Sequence, residues 1–487
     1  MVEIVPLIIL IIYIVLLLYA SYEGFRRTKA GRLEFFVAAG TLGVIASFFT
    51  YVATWVSAYG FIGLSTVFYA YGIDWHLFEA IAYPFLIVPL TFIVARRVWS
   101  LAKKYRYITP ADLIVHRIGL DIPVRLLLAV MIAYPFIFYM GIQFIALSSI
   151  VSGITGLPYH YGLFLFSLTA IIVVGLGGIR GVAYSDILMG VTFLILAVIV
   201  IIALPLYLGF GYITSAVEGP RGWVFKPSLP PQYLISALFL VSIPWAGLIP
   251  HLMTKLYAAQ SDRAIYASAL GIGISGFLLY SILPIFVGSA LAYYWPEPPK
   301  VTVREEYVTM FFSQLISPTI AMLLMLGLVA AAFSTIVGIA ITLTSIVHVD
   351  LLEKTLKLKL SERTLDLIAR ATVILVMLIG VYSAVSPEHP IVRIAITLIW
   401  PGLSVIAFPI LIALFWRRAN KWGVFLGHLT GFLSLILFQY FIWPEWPHNP
   451  FYLWEGALPT MIGIVVTIIV SLITPPEPEE RLKEFFP

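Results

Sequence analysis

Cysteine is absent from the 487 residues, which removes disulfides, thiolate metal sites and a cysteine nucleophile from consideration. Charge is nearly as scarce: Asp, Glu, Lys and Arg together make up 11%, too little to cover a soluble domain of this length. Amides are limited to Gln143, Gln232, Gln260, Gln314, Gln439, Asn420 and Asn449, a depletion common to thermophilic and membrane proteins. Acids inside or beside apolar runs are scattered at Asp112, Asp121, Asp186, Asp262 and Asp350, with no Asp-x-x-Asp pair. An intramembrane enzyme holding magnesium and diphosphate, such as a prenyl transferase, would need them clustered.

What is present is hydrophobic: 61% of the chain, the composition of an all-α polytopic membrane protein. The first apolar run, Ile4 to Ala20, lacks a basic leader and a small-residue cleavage site, so we expect a retained helix and not a signal peptide. Apolar runs bounded by charge, Pro and Gly predict about 13 transmembrane helices, near residues 4–22, 36–70, 75–95, 123–152, 159–176, 183–209, 233–254, 266–294, 316–348, 370–386, 392–415, 422–443 and 457–474. With the N-terminus outside and the C-terminus cytoplasmic, the inner loops collect Arg26, Arg27, Lys29, Arg96, Arg97, Lys103, Lys104, Arg117, Arg125, Lys354, Arg417 and Arg418 among others, and the outer side keeps only Arg221, Lys226, Lys300, Arg304 and Arg393. That asymmetry sets the expected orientation in a cell membrane and accounts for the net charge of +5 without a nucleic-acid partner.

Two runs are irregular. The second, Phe35 to Gly72, is nearly twice the length that spans a bilayer and is rich in small and hydroxylated residues from Ala53 to Gly60. Either it is one long tilted helix whose small residues permit close packing, or it breaks there and turns freed carbonyls toward an ion, since lipid cannot satisfy them. The seventh run carries Pro244 and Pro250, each of which removes a helical hydrogen bond. Interruptions five helices apart, at matching places in two halves, are the mark of an inverted-repeat transporter with its site at the midplane. In the ninth run, adjacent hydroxyls at Ser334 and Thr335 follow a string of small residues. They could bond back to carbonyls one turn earlier or supply oxygens to a hard monovalent cation.

Gly177-Gly178-Ile179-Arg180-Gly181-Val182-Ala183-Tyr184-Ser185-Asp186 resembles the Gly-Gly-x-Arg/Lys-Ala-Val-x-x-Thr-Asp signature of the solute:sodium symporter family. Val52 to Gly63 is similar to the unwound segment of that family's sugar-type members, Pro250 to Ser261 to the Pro-His-x-x-x-Arg-x-x-Ala-Ala-x-Ser block of proline permeases, and Trp400 to Asn420 to the block closing the tenth core helix. The resemblance implies a leucine-transporter-type inverted-repeat core of five plus five helices, with one extra helix before it and two after. In a single transmembrane unit of residues 1–487, residues 35–252 would carry the first repeat and the start of the second, 233–415 the second repeat, and 422–487 the C-terminal helices and tail.

It also implies a sodium site built from the carbonyls of Ala53, Val56 and Ala331 and the hydroxyls of Ser334 and Thr335. Asp186 would lie beneath that site as a relay or second support, or would cap a helix starting at Ile187. Around the solute the resemblance places Glu79, which could instead cap the helix after Asp74. It also places Gln143, from the pattern Tyr139-x-x-x-Gln143, and Trp245, near an aromatic inner gate. Tyr59 and Gly60 replace the polar pair of sugar carriers, which argues against a hexose. His251 and Lys255 are expected at the inner rim, with Lys255 snorkelling outward. The function implied is not enzymatic: it is sodium-coupled symport of a small organic solute, an amino acid such as proline or a small monocarboxylate, with no organic cofactor. The alternatives are a sugar or vitamin-like solute, or proton coupling through Asp186 or Glu79.

Overall fold

The computed structural model describes residues 4–29, 31–217, 229–295, 318–358, 361–386, 391–443 and 450–486. Among them, nine helices are long and apolar enough to cross a membrane, one further pair forms a bent pass, and Leu367–Tyr382 and Ala457–Ile473 are shorter apolar helices. The helix Tyr159–Leu208 breaks at Gly178, with φ 52° and ψ −154°. Counting it as two passes brings the described passes to the expected 13. Gly178 is required twice over, because its φ suits only glycine and a side chain would meet the Phe35 carbonyl at 2.7 Å.

The second pass is broken. Val44–Trp55 and Tyr59–Tyr69 incline at 75° to one another, and Val56 between them is extended (φ −75°, ψ 135°). The pass also begins later than its sequence implied. Residues Arg32–Val37 form a separate short helix, and Ala38 and Ala39 are left-handed at φ 47° and 49°. This lead-in ends at Leu42, whose N–H donates to Ala258 O and whose carbonyl accepts from the Gln260 N–H, each at 2.9 Å.

The seventh pass is broken in the same manner. Pro231–Trp245 stops one residue after Pro244, Gly247 takes φ 109°, and Pro250 opens the helix Pro250–Ala258 at its first turn, where its missing N–H is harmless. The lead-in strand of the first broken pass thus bonds to the far end of the second. The helix Pro318–Ser345, continued by widened turns to Thr355, runs through the centre: its apolar stretch is wholly buried, against about a third of Ile4–Arg26 and a fifth of Lys421–Ile442 at the periphery.

Candidate functional site

A helix leaves its last four carbonyls without intrahelical partners. Where Val44–Trp55 ends at mid-molecule, two of these carbonyls find the hydroxyls of the central helix. Ser334 Oγ lies 2.6 Å from Ala53 O and 3.0 Å from Ala331 O. Thr335 Oγ1 lies 2.9 Å from Val56 O and 3.2 Å from Ala331 O. The back-bonding reading of the hydroxyls holds, and each hydroxyl also crosses to a carbonyl of the broken pass. Five oxygens from residues about 280 apart therefore converge, and Ala53, Val56, Ala331, Ser334 and Thr335 are all fully buried. The cluster carries no formal charge. Hydroxyls and carbonyls are hard donors suited to an alkali cation that must be released as well as bound.

The break is held open from the side. Gln143 Oε1 accepts the Ala58 N–H at 2.9 Å, and Gln143 Nε2 donates to Tyr139 O at 3.2 Å. Gln143 thus caps the second half of the broken pass and does not line the cavity beside it. That cavity is bounded by Trp55, Ser57, Tyr59, Phe78, Ile87, Tyr139, Val241, Ser242, Trp245, Tyr280 and Trp400. Tyr59 packs edge-on to Trp400 at 4.4 Å, and Trp245 lies 6.2 Å from Trp55. A side chain at Gly60 would run into the Tyr280 ring, so glycine there lets the two meet. Glu79 belongs to the helix Ile73–Ala82, and its side chain lies outside the described residues. The sequence pointed to Tyr59 and Trp245. It did not single out Trp55, Tyr280 or Trp400, because an aromatic residue in an apolar helix reads equally well as core.

One turn before Ala53, toward the start of the same helix, Thr50 donates to Asp186 Oδ2. Lys255 Nζ joins them at 3.0 Å from Asp186 Oδ2 and 2.9 Å from Thr50 Oγ1. This corrects two expectations. Lys255 does not snorkel: its side chain, like that of Asp186, is 0% exposed, and His251 is enclosed by the rings of Phe136, Tyr139 and Trp245. Asp186 caps no helix, because the backbone breaks two turns earlier at Gly178 and Asp186 falls within helical structure.

A model of the sodium:solute symporter family matches residues 35–431. The chain is 25% identical over 444 residues to the sodium/pantothenate symporter of Escherichia coli K12, covering 87% of this chain and 88% of the other. It is 23% identical over 469 residues to sodium/proline symporter 2 of Staphylococcus saprophyticus, covering 94% and 91%. Its fold is similar to that of a sodium-coupled sialic acid symporter solved in a substrate-bound outward-open state, with a TM-score of 0.79 over 97% of this chain and 98% of the other at 16% identity.

Proposed function

Since the chain belongs to the sodium:solute symporter family and is a multi-pass sodium-coupled symporter, we propose that its coupling ion sits among Ala53 O, Val56 O, Ala331 O, Ser334 Oγ and Thr335 Oγ1. The observation that carries this reading is the pair of bonds from Ser334 and Thr335 to Ala53 and Val56. When sodium enters, the two hydroxyl protons turn away and the same oxygens face the ion. Because these carbonyls exist only where the first broken pass ends, any movement of that pass against the central helix opens the site, which ties ion release to the change of access.

The solute binds in the adjoining cavity, against Trp55, Tyr59, Trp245, Tyr280 and Trp400, with the hydroxyls of Ser57 and Ser242 for its polar end. Aromatic faces with a few polar groups suit a compact solute. The two relatives are symporters of pantothenate and of proline, and both of these solutes carry a carboxylate. We therefore favour a small amino acid such as proline or a monocarboxylate, with a vitamin-like acid as the second reading supported by the pantothenate relative. Tyr59 and Gly60 weigh against a sugar. No organic cofactor is called for. The excess of Lys and Arg on one side supports an N-terminus outside and a C-terminus in the cytoplasm of a cell-membrane protein.

One sodium moving down 100 mV releases about 2.3 kcal/mol, and a tenfold gradient adds about 1.4, enough together for a solute gradient of a few hundredfold. Counterflow in proteoliposomes against a panel of amino acids, monocarboxylates, pantothenate and sugars, with sodium or choline at constant pH, tests the reading. We expect exchange of one carboxylate class that collapses in choline. Exchange indifferent to choline would mean proton coupling on the same fold.

A further inference from the structure

Asp186 is a carboxylate buried between helices, and such a group persists only when something neutralises it. A mobile ion, a proton or a basic side chain can do so. Here it is Lys255, from the second broken pass, whose ammonium contacts Asp186 Oδ2 and Thr50 Oγ1 at 3.0 and 2.9 Å. Asp186 and Thr50 are 0% exposed and Lys255 1%. Asp186 Oδ1, by contrast, has no hydrogen-bond partner among the described residues. Thr50 precedes Ala53 by three residues, about 4.5 Å along the helix, so this cluster lies directly beside the five neutral oxygens.

The oxygens of Asp186 and Thr50, one of them unpartnered, are hard ligands of the sort that take sodium, and the ammonium holds the place such an ion would fill. We infer that Lys255 is a tethered cation standing where a second coupling ion would bind, and that it limits this symporter to one sodium per solute. The inference goes beyond the ion site among Ser334 and Thr335 and uses that reading only for the first ion.

The consequence is that removing the ammonium creates a site. Equilibrium binding of radioactive sodium to the purified full-length protein at pH 8, counted per chain, needs no knowledge of the solute. We expect Lys255→Met to double the sodium bound at saturation, and Asp186→Asn combined with Lys255→Met to return it to the wild-type value. Lys255→Arg should leave it unchanged. Two ions bound to the wild type, or no gain in a folded Lys255→Met protein, would overturn the inference. A wild-type count of two overturns it even if the variant does not fold. Ser334→Ala with Thr335→Ala separates the two readings: it should weaken the wild-type ion about tenfold, and in the Lys255→Met background it should weaken one of the two ions and leave the other unchanged. If it weakens neither, the first site is misplaced, while a doubling on Lys255→Met still stands by itself.

Discussion

Two stations on the central helix work in opposite ways. At Ser334 and Thr335 the helix meets the broken pass through uncharged hydroxyl–carbonyl contacts. Fifteen residues on, about 22 Å along the axis, Asp350 is bound by the guanidinium of Arg125 and by the hydroxyl of Thr109 at 2.9 Å. Arg125 also reaches Asp112 at 2.9 Å and Asp121 at 2.5 Å, while Asp112 Oδ2 caps the turn before it by accepting the N–H groups of Ile108 and Thr109. Neutral contacts of this kind contribute about 0.5–1.5 kcal/mol each, and on the proposed reading they give way to an ion. A buried, multiply bonded ionic cluster cannot be opened cheaply. The contrast teaches which part of the helix is free to part from its neighbours during transport and which part is fixed.

The largest effect should come from breaking the fixed station. Arg125→Leu leaves Asp350 buried without its partner, and a loss of about 3–5 kcal/mol should appear as a steep fall in the unfolding midpoint in detergent. Asp121→Asn, at a position 53% exposed, should change it by less than about 1 kcal/mol. A variant at Arg125 that melts like the wild type would show that the cluster anchors nothing. At the exchangeable station the effect moves from stability to ion affinity. Ser334→Ala with Thr335→Ala should raise the sodium concentration for half-maximal uptake about tenfold, or about 1.4 kcal/mol, with little change in melting. Uptake with unaltered sodium dependence would remove the site, and a protein that unfolds instead would invert the comparison.

These stations differed in how far they could be read from the chain. The meeting of the first broken pass with Ser334 and Thr335 was legible because each side is locally odd: an overlong apolar run with small residues at its middle, and two adjacent hydroxyls where the helix is otherwise aliphatic. The ionic contacts were not. Arg117 counted only as one more cytoplasmic charge, yet it is fully buried and donates to Ala413 O at 2.8 Å and Ala419 O at 2.9 Å, satisfying the end of the helix Trp400–Phe415. Lys255 and Asp186 are 69 residues apart, and nothing local distinguishes a lysine that snorkels from one that turns inward to an acid on another helix. The start of the second pass was misplaced for a similar reason: Phe36 and Val37 are apolar and buried, but as part of a short helix packed beneath the bundle. Periodicity reports burial and is silent about which side of a turn the burial falls on.

The smallest effect is expected at the C-terminal helix Glu479–Phe485, which brings charge and apolar anchoring together and so tests which of them holds a segment at the surface. Leu482 and Phe485 are buried at 3% exposure each, and Arg97 donates to Phe485 O at 2.6 Å. Beside them Glu484 pairs with His116 at 2.7 Å, with the two side chains 42% and 26% exposed. The Glu484 carboxyl is held below its ordinary value, first by the neighbouring Tyr105 side chain and then by His116. A depressed acid stabilises the docked tail above the ordinary glutamate range, near 4.3, and loses that contribution as pH falls through its folded value. Glu484→Gln should therefore speed hydrogen exchange in residues 479–486 by no more than about fivefold at pH 7, since exposed pairs contribute about 0.2–1 kcal/mol. It should also reduce acid-dependent loosening of the tail relative to the wild type, the remainder coming from the Glu477–Arg481 and Glu479–Arg417 pairs. Release of the tail on losing this one carboxylate would mean that surface charge, and not Phe485 and Leu482, fastens it, and the line drawn between exposed and buried ion pairs would have to move.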